Sequence, residues 1–304
     1  MIPSYYLVNV GDLVNKWGNK VTEEPQHRRI KCRRDRTKFY ETVYFHKFTK
    51  PTALMPFTPA HPAIILPFIR SRYFSATGLI IGSLAPDFEY FFKMSVSSDY
   101  SHTLAGLFYF DLPLTLLLSW VFHCVVKKNF ISNLPFFFQK RFQDMLHFDF
   151  LKYLKDHWWI FVISAVVGAG SHIFWDSFTH NNSFFVRTLP FYEGTYLPYD
   201  GVKYPLWYAL QHISTAVGLT VVGIYVLTMK PAQTQTLTAP KTLYWFILII
   251  IAFVIVWVRF AFYPSDYDLG NAVVSSITGW LVALVCCGFI NFKNTTIQQE
   301  SMNG

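Results

Sequence analysis

The sequence predicts an all-α fold, a polytopic transmembrane helical bundle with about five full spans and one or two short or broken helices near its N-terminal part. Three observations carry this. Of 304 residues, 52% are hydrophobic and 19% aromatic, and only 14% are charged, too apolar for a water-soluble domain of this length. Apolar runs long enough for a helix to cross ~30 Å of hydrocarbon recur along the chain. The formal charge of +8 is concentrated at one end, since residues 1–54 hold 11 Lys/Arg against 5 Asp/Glu. The basic part is thus a separable tail, and no nucleic-acid partner is expected.

Residues 1–54 have no apolar period and contain the basic run His27 to Arg36. They lack the apolar core of a signal peptide and are expected to be a disordered extension. Met55-Pro-Phe-Thr-Pro-Ala-His-Pro62 looks like a natural start. The membrane domain is expected over 55–292. Pro56 to Arg70 is cut by Pro59, Pro62 and Pro67 and is too short to span comfortably, which suggests a re-entrant piece. A helix over 73–92 is broken late, at Ala85-Pro86-Asp87. Spans follow at 103–126, 158–179, 205–229, 242–263 and 269–292. Between the first two of these lies a mixed basic and aromatic stretch, 127–156, read as interfacial. An aromatic loop covers 181–204, and 293–304 is a polar tail. Cys32, Cys124, Cys286 and Cys287 form neither a disulfide framework nor a zinc motif.

Putting 127–156 on the cytoplasmic side gathers Arg70, Arg72, Lys230, Lys241 and Lys293 there too, as the positive-inside rule asks. The basic tail then falls on the wrong side, which conflicts with that rule. In this topology His61, Asp87, His102, His172, Asp176 and His180 all lie toward the non-cytoplasmic face.

His172, Asp176 and His180 are spaced i, i+4, i+8, which stacks them on one helical stripe. Two readings are open. Imidazole and carboxylate on adjacent turns can ligate a divalent metal, or they can simply hydrogen-bond and hold two helices together. Asp87 and Glu89 follow a proline break, where an acid can cap a new turn or serve as a ligand. His102 and His61 are either water-facing or ligands. Asp111, nine residues from His102, is placed on the opposite side of a helical wheel and is expected to brace a neighbouring helix. His123 reads as structural, and His212 as a ligand or as a group that orients one.

These motifs resemble the bacterial membrane family called domain of unknown function 4184. The resemblance rests on the segment 55–62, Gly82-Ser-Leu-Ala-Pro-Asp-Phe-Glu-Tyr90, Ser101-His-Thr-Leu-Ala-Gly106, Asp111-Leu-Pro-Leu114 and Ser171-His-Ile-Phe-Trp-Asp176. It implies an integral protein of the bacterial inner membrane. The chain is also distantly similar to the inner-membrane metal-dependent hydrolases of domain of unknown function 457. The corresponding residues are His61, Asp87, His102, His172, Asp176 and Thr179, with Glu89 replacing a second Asp. One histidine of that pattern has no counterpart, which leaves the metal count and the general base open.

The reading taken forward is a divalent metal (Zn, Mn or Fe) held by His61, Asp87, His102, His172 and Asp176. Glu89 or His180 would act as acid or base. The expected partners are membrane lipid and a lipid-like (phospho)ester, with the loop 181–204 as a lid and the oligomeric state undetermined. The rival is a protein without enzymatic activity, either a structural polar network or a transporter of ions, protons or small solutes.

Overall fold

The computed structural model describes residues 58–298 other than 182, 200–201, 233–235 and 293–295. The basic extension expected over 1–54 and the Met55 start lie outside the described residues. So does the tail 293–304, apart from Thr296–Gln298.

The fold is an all-α polytopic bundle. Among the described residues, five helices are long and apolar enough to cross a membrane: Leu107–Asn133, Phe150–Asp176, Leu206–Thr228, Thr242–Phe262 and Leu269–Gly288. Ahead of them, Thr58–Phe68 winds as a 3-10 helix carrying Pro62 and Pro67 inside it. Each proline lacks the N–H that an α-helical ladder needs, so the segment stays short and irregular. Helices α1 (Ala76–Gly82) and α2 (Phe88–Lys93) follow, joined by a 3-10 turn at Ala85–Asp87. Pro86 sits in that turn, as the proline break predicts.

Helix α3 (Leu107–Asn133) departs from the expected span 103–126 at both ends. It opens on a π-turn, Leu107–Asp111, just before Pro113, whose missing N–H favours the wider turn. A second π-turn, Phe122–Val126, carries it past the expected end to Asn133. Lys127 is tolerated there because its ammonium donates to the Phe148 carbonyl at 2.7 Å. The stretch read as interfacial therefore begins later, with the short helices α4 (Phe136–Phe142) and α5 (Asp144–His147).

Helix α6 (Phe150–Asp176) is capped by Asp149, whose carboxylate accepts from Lys152 N at 3.0 Å. Its backbone breaks at His157 (φ −135°, ψ 31°), so the apolar run expected from Trp158 is a distinct straight segment. After α6 come α7 (Phe184–Thr188) and an antiparallel hairpin of β1 (Tyr196–Tyr199) and β2 (Val202–Pro205), with Tyr196 opposite Pro205. Helix α8 (Leu206–Thr228) packs on the N-terminal 3-10 helix. Strand β3 (Thr236–Thr238) pairs with β4 (Thr296–Gln298), so part of the expected polar tail is a strand. Between them, α9 (Thr242–Phe262) and α10 (Leu269–Gly288) form a tight hairpin around Tyr244, Leu248, Ala252, Ala283 and Cys287.

The contact that positions the site is α1 against α6. Gly78 and Gly82 lie one turn apart and face Ala165 and Gly168. A Cβ at Gly82 would lie 2.5 Å from the Ala165 carbonyl oxygen, and one at Gly168 would lie 2.4 Å from that of Leu79. Small residues at this spacing let the two backbones touch. Ser75 locks the start of the contact, its N–H donating to Ser164 Oγ at 2.7 Å. The far end of α1 then delivers Ser83 to the last turns of α6.

Candidate metal centre

Four stretches far apart in sequence meet at the C-terminal end of α6. His61 comes from the 3-10 helix and Asp87 from the turn after α1. His102 comes from the turns before α3, and His172 and Asp176 from α6 itself. Asp87, His102, His172 and Asp176 each offer one ligand atom, and these atoms lie within 4.8 Å of one another.

The distances inside the group are uniform. His172 Nε2 is 3.3 Å from Asp87 Oδ1 and 3.2 Å from Asp176 Oδ2. His102 Nε2 is 3.5 Å from each of the same two oxygens. Good N–H···O bonds are about 2.7–3.2 Å with straight geometry, and charged ones are shorter still. His102 Nε2, His172 Nε2 and both Asp176 oxygens are buried with no hydrogen-bond partner among the described residues. Four ligands at ~2.1 Å from a common centre in a tetrahedron stand ~3.4 Å apart. The observed spacings match that edge better than a hydrogen bond.

The outer nitrogens of both rings are held. His172 Nδ1 donates to the Ser83 carbonyl at 2.8 Å, which fixes the tautomer because a carbonyl only accepts. In the neutral ring, Nε2 therefore presents a lone pair to two carboxylate oxygens, an arrangement that calls for a cation or a proton between them. His102 Nδ1 lies 2.9 Å from Ser101 Oγ and 3.1 Å from Ser98 Oγ. Burial alone would lower the pKa of His102, but the carboxylates of Asp176 and Asp87 outweigh it and push the value up to about 9.

Glu89 does a different job from the acid–base role expected of it. Its carboxylate accepts from Lys93 Nζ (2.6 Å), Asp99 N (2.7 Å), Ser98 Oγ (2.9 Å), Tyr100 N (3.0 Å) and Ser101 N (2.8 Å). Burial works to raise its pKa, yet the Lys93 ammonium and the backbone donors hold it well below the usual carboxylate range. Glu89 thus folds the 98–101 loop and, through Ser98 and Ser101, aims His102. Sequence reasoning missed these two serines and the Ser83 carbonyl. The hydroxyls clustered just before His102 were a signal for the first pair, whereas a backbone carbonyl leaves none.

His180 lies beyond the end of α6, in the turn that follows, and not on a continuous helical stripe. Its Nδ1 is 3.5 Å from Asp176 Oδ1. His61 is 1% exposed, stacks on His172 with ring centroids 3.7 Å apart, and has no hydrogen bond at either nitrogen. Asp111 is fully buried, yet neither carboxylate oxygen has a hydrogen-bond partner among the described residues, so the expected brace is not seen there. The wheel argument assumed one helix from 102 to 111, but the helix begins only at Leu107. His212 is exposed on α8 and meets Tyr208 edge-on, away from the ligand role considered for it. His123 is structural, with its Nε2 3.0 Å from Thr77 Oγ1 and its ring stacked on Phe150.

A cavity of about 480 Å³ opens in the segment after His180, lined by Asn181, Arg187, Tyr192, Glu193 and Trp207 among others. Tyr192 ties this segment to the end of α6 by donating its hydroxyl to the Phe178 carbonyl at 2.6 Å.

Fold and site together define a polytopic helical protein with a buried His/Asp cluster that can hold a metal ion. The family model described as Domain of unknown function (DUF4184) matches residues 55–289, and the chain belongs to that family. No curated protein and no solved structure matches it.

Proposed function

We propose that the protein is a membrane-embedded, metal-dependent hydrolase acting on a lipid-borne ester, most simply a phosphoester, at the non-cytoplasmic face of the bacterial inner membrane. The metal would be held by Asp87, His102, His172 and Asp176, with His61 beside them. The observation that carries this is the ring of 3.2–3.5 Å nitrogen-to-oxygen spacings around buried atoms with no hydrogen-bond partner. A purely structural polar network would close these gaps to hydrogen-bond length. Nitrogen and oxygen donors without thiolate suit Zn²⁺, Mn²⁺ or Fe²⁺.

A bound divalent ion there supplies Lewis acidity and brings the pKa of a water from 15.7 to about 7. Ser83 and the serine pair before His102 keep the two imidazoles turned inward. Glu89 is a positioning residue. His180, whose Nδ1 is 3.5 Å from Asp176 Oδ1, is the side chain next to the cluster that reaches toward solvent. The substrate class rests on location and lining. The cluster gathers at the C-terminal end of α6, which the proposed topology would put near headgroup depth, and the cavity in the segment after His180 would offer Arg187 to an anionic group and Tyr192 and Trp207 to apolar parts. Neither Arg187 nor Glu193 has an ion-pair partner among the described residues.

The test is metal analysis of the purified full-length protein against a variant with His172→Ala and Asp176→Ala. Stoichiometric metal in the wild type and background in the variant is the expected result. Equal, negligible metal in both overturns the proposal.

A further inference from the structure

The two oxygens of Asp176 face different partners. Oδ2 looks toward His102 and His172, at 3.5 and 3.2 Å. Oδ1 looks toward His61 Nε2 at 3.6 Å and His180 Nδ1 at 3.5 Å. Neither oxygen has a hydrogen-bond partner, and neither does His61 Nε2. The spacings on the Oδ1 side repeat the ~3.4 Å tetrahedral edge found on the Oδ2 side.

We infer that Asp176 is a bridging carboxylate and that His61, Asp176 Oδ1 and His180 form a second divalent-metal position. This rests on the metal reading of the first position. Three features support a second position over a fifth ligand to the first. The group of ligand atoms within 4.8 Å of one another takes in Asp87, His102, His172 and Asp176 and leaves out His61 and His180. The His61 and His172 rings are nearly parallel, tilted by 22°, with centroids 3.7 Å apart. Side-by-side rings direct their Nε2 atoms at two points about that far apart, and paired catalytic metals sit ~3.5–4 Å from each other. Lastly, the first position has four protein ligands, a closed set for a tetrahedral ion, while hydrolysis needs an open corner. The second position has three, so the open corner is there.

His180 is then a ligand and not a free base. Its other contacts are weak enough to give up, since Nδ1 lies 3.3 Å from the Asp176 carbonyl oxygen and 3.4 Å from Thr179 Oγ1. Its side chain is also 27% exposed, so the open corner faces the mouth of the site. His61 lies deeper and closes the position from within.

The experiment is metal stoichiometry on full-length protein in detergent, stripped and reloaded with Mn²⁺, read by elemental analysis and by electron paramagnetic resonance. The wild type is expected to hold two equivalents and to show the spectrum of a magnetically coupled pair. His180→Ala, at a half-exposed turn where folding is least at risk, is expected to hold one equivalent with an uncoupled six-line spectrum. His61→Ala should behave likewise, with circular dichroism as the check on its fold. One equivalent in the wild type, or two coupled ions in His180→Ala, overturns the second position and leaves the first standing. No metal in the wild type removes both.

Discussion

The α1/α6 pair and the α9/α10 hairpin both bring helices into close contact, and they differ in what they do with buried polar groups. In the hairpin half, polar groups are satisfied locally. Thr278 donates its hydroxyl to the Phe91 and Val274 carbonyls at 2.8 and 3.0 Å, and Ser275 reaches the Met94 carbonyl at 3.4 Å, although the Tyr244 hydroxyl has no partner. Around α6, by contrast, nitrogens of three histidines and both oxygens of Asp176 converge with no hydrogen-bond partner among the described residues. Unpaired buried polar groups cost about 1–3 kcal/mol each, more when charged. The concentration of such groups at one point is what the metal proposal accounts for, and the hairpin has no such concentration among the described residues.

The sharpest way to break this contrast is Asp176→Ala, which removes the shared oxygens. Metal affinity, read by competition with a chelator, should fall at least 100-fold, on the order of 3 kcal/mol by the usual free-energy relation. A second test sets the two helix contacts against each other. Gly82→Val drives a side chain into the Ala165 carbonyl and should cost about 1–3 kcal/mol of stability while moving Ser83 off His172. Gly279→Ala meets the Ala252 carbonyl oxygen at 2.8 Å, a comparable insult in the hairpin. It should lower the thermal midpoint but leave metal stoichiometry unchanged. Loss of metal in both variants would erase the distinction.

Glu89→Gln probes the supporting shell. Removing the charge weakens four hydrogen bonds to the 98–101 loop and one to Lys93, and metal affinity should drop by about 10–100-fold, as is usual for a group that orients a ligand. A drop as large as that of Asp176→Ala would make Glu89 a direct ligand. The smallest effect is expected of Asp111→Asn. The side chain has no partner to lose, so stability should move by less than about 1 kcal/mol and metal content not at all. A clear loss of metal would enlist Asp111 in the site.

Much of this arrangement was legible in the sequence, for identifiable reasons. Apolar runs give helices directly, and histidines and aspartates inside or beside them are costly enough to advertise themselves. Pro86 and the i, i+4 pair His172/Asp176 depend only on local geometry. What failed was longer-range. The π-turns of α3 shift its register and its ends, which defeated the placing of Asp111 and the 127–133 stretch. Glu89 could not be told from a catalytic acid, because four of its five donors come from a loop whose path no periodicity encodes; only Lys93, at i+4, was within reach of local geometry. The facing of Asp176's two oxygens is invisible until 61, 102, 172 and 180 are brought together.

One consequence concerns the order in which the chain is made. Every residue of the cluster precedes Asn181, whereas the last three membrane-length helices begin at Leu206, Thr242 and Leu269. Once the stretch through His180 has left the ribosome, every side chain of the cluster has been made, while the 3-10 helix that carries His61 still awaits α8, on which it packs. An ion captured at that moment would rivet the early helices together before the later ones are inserted.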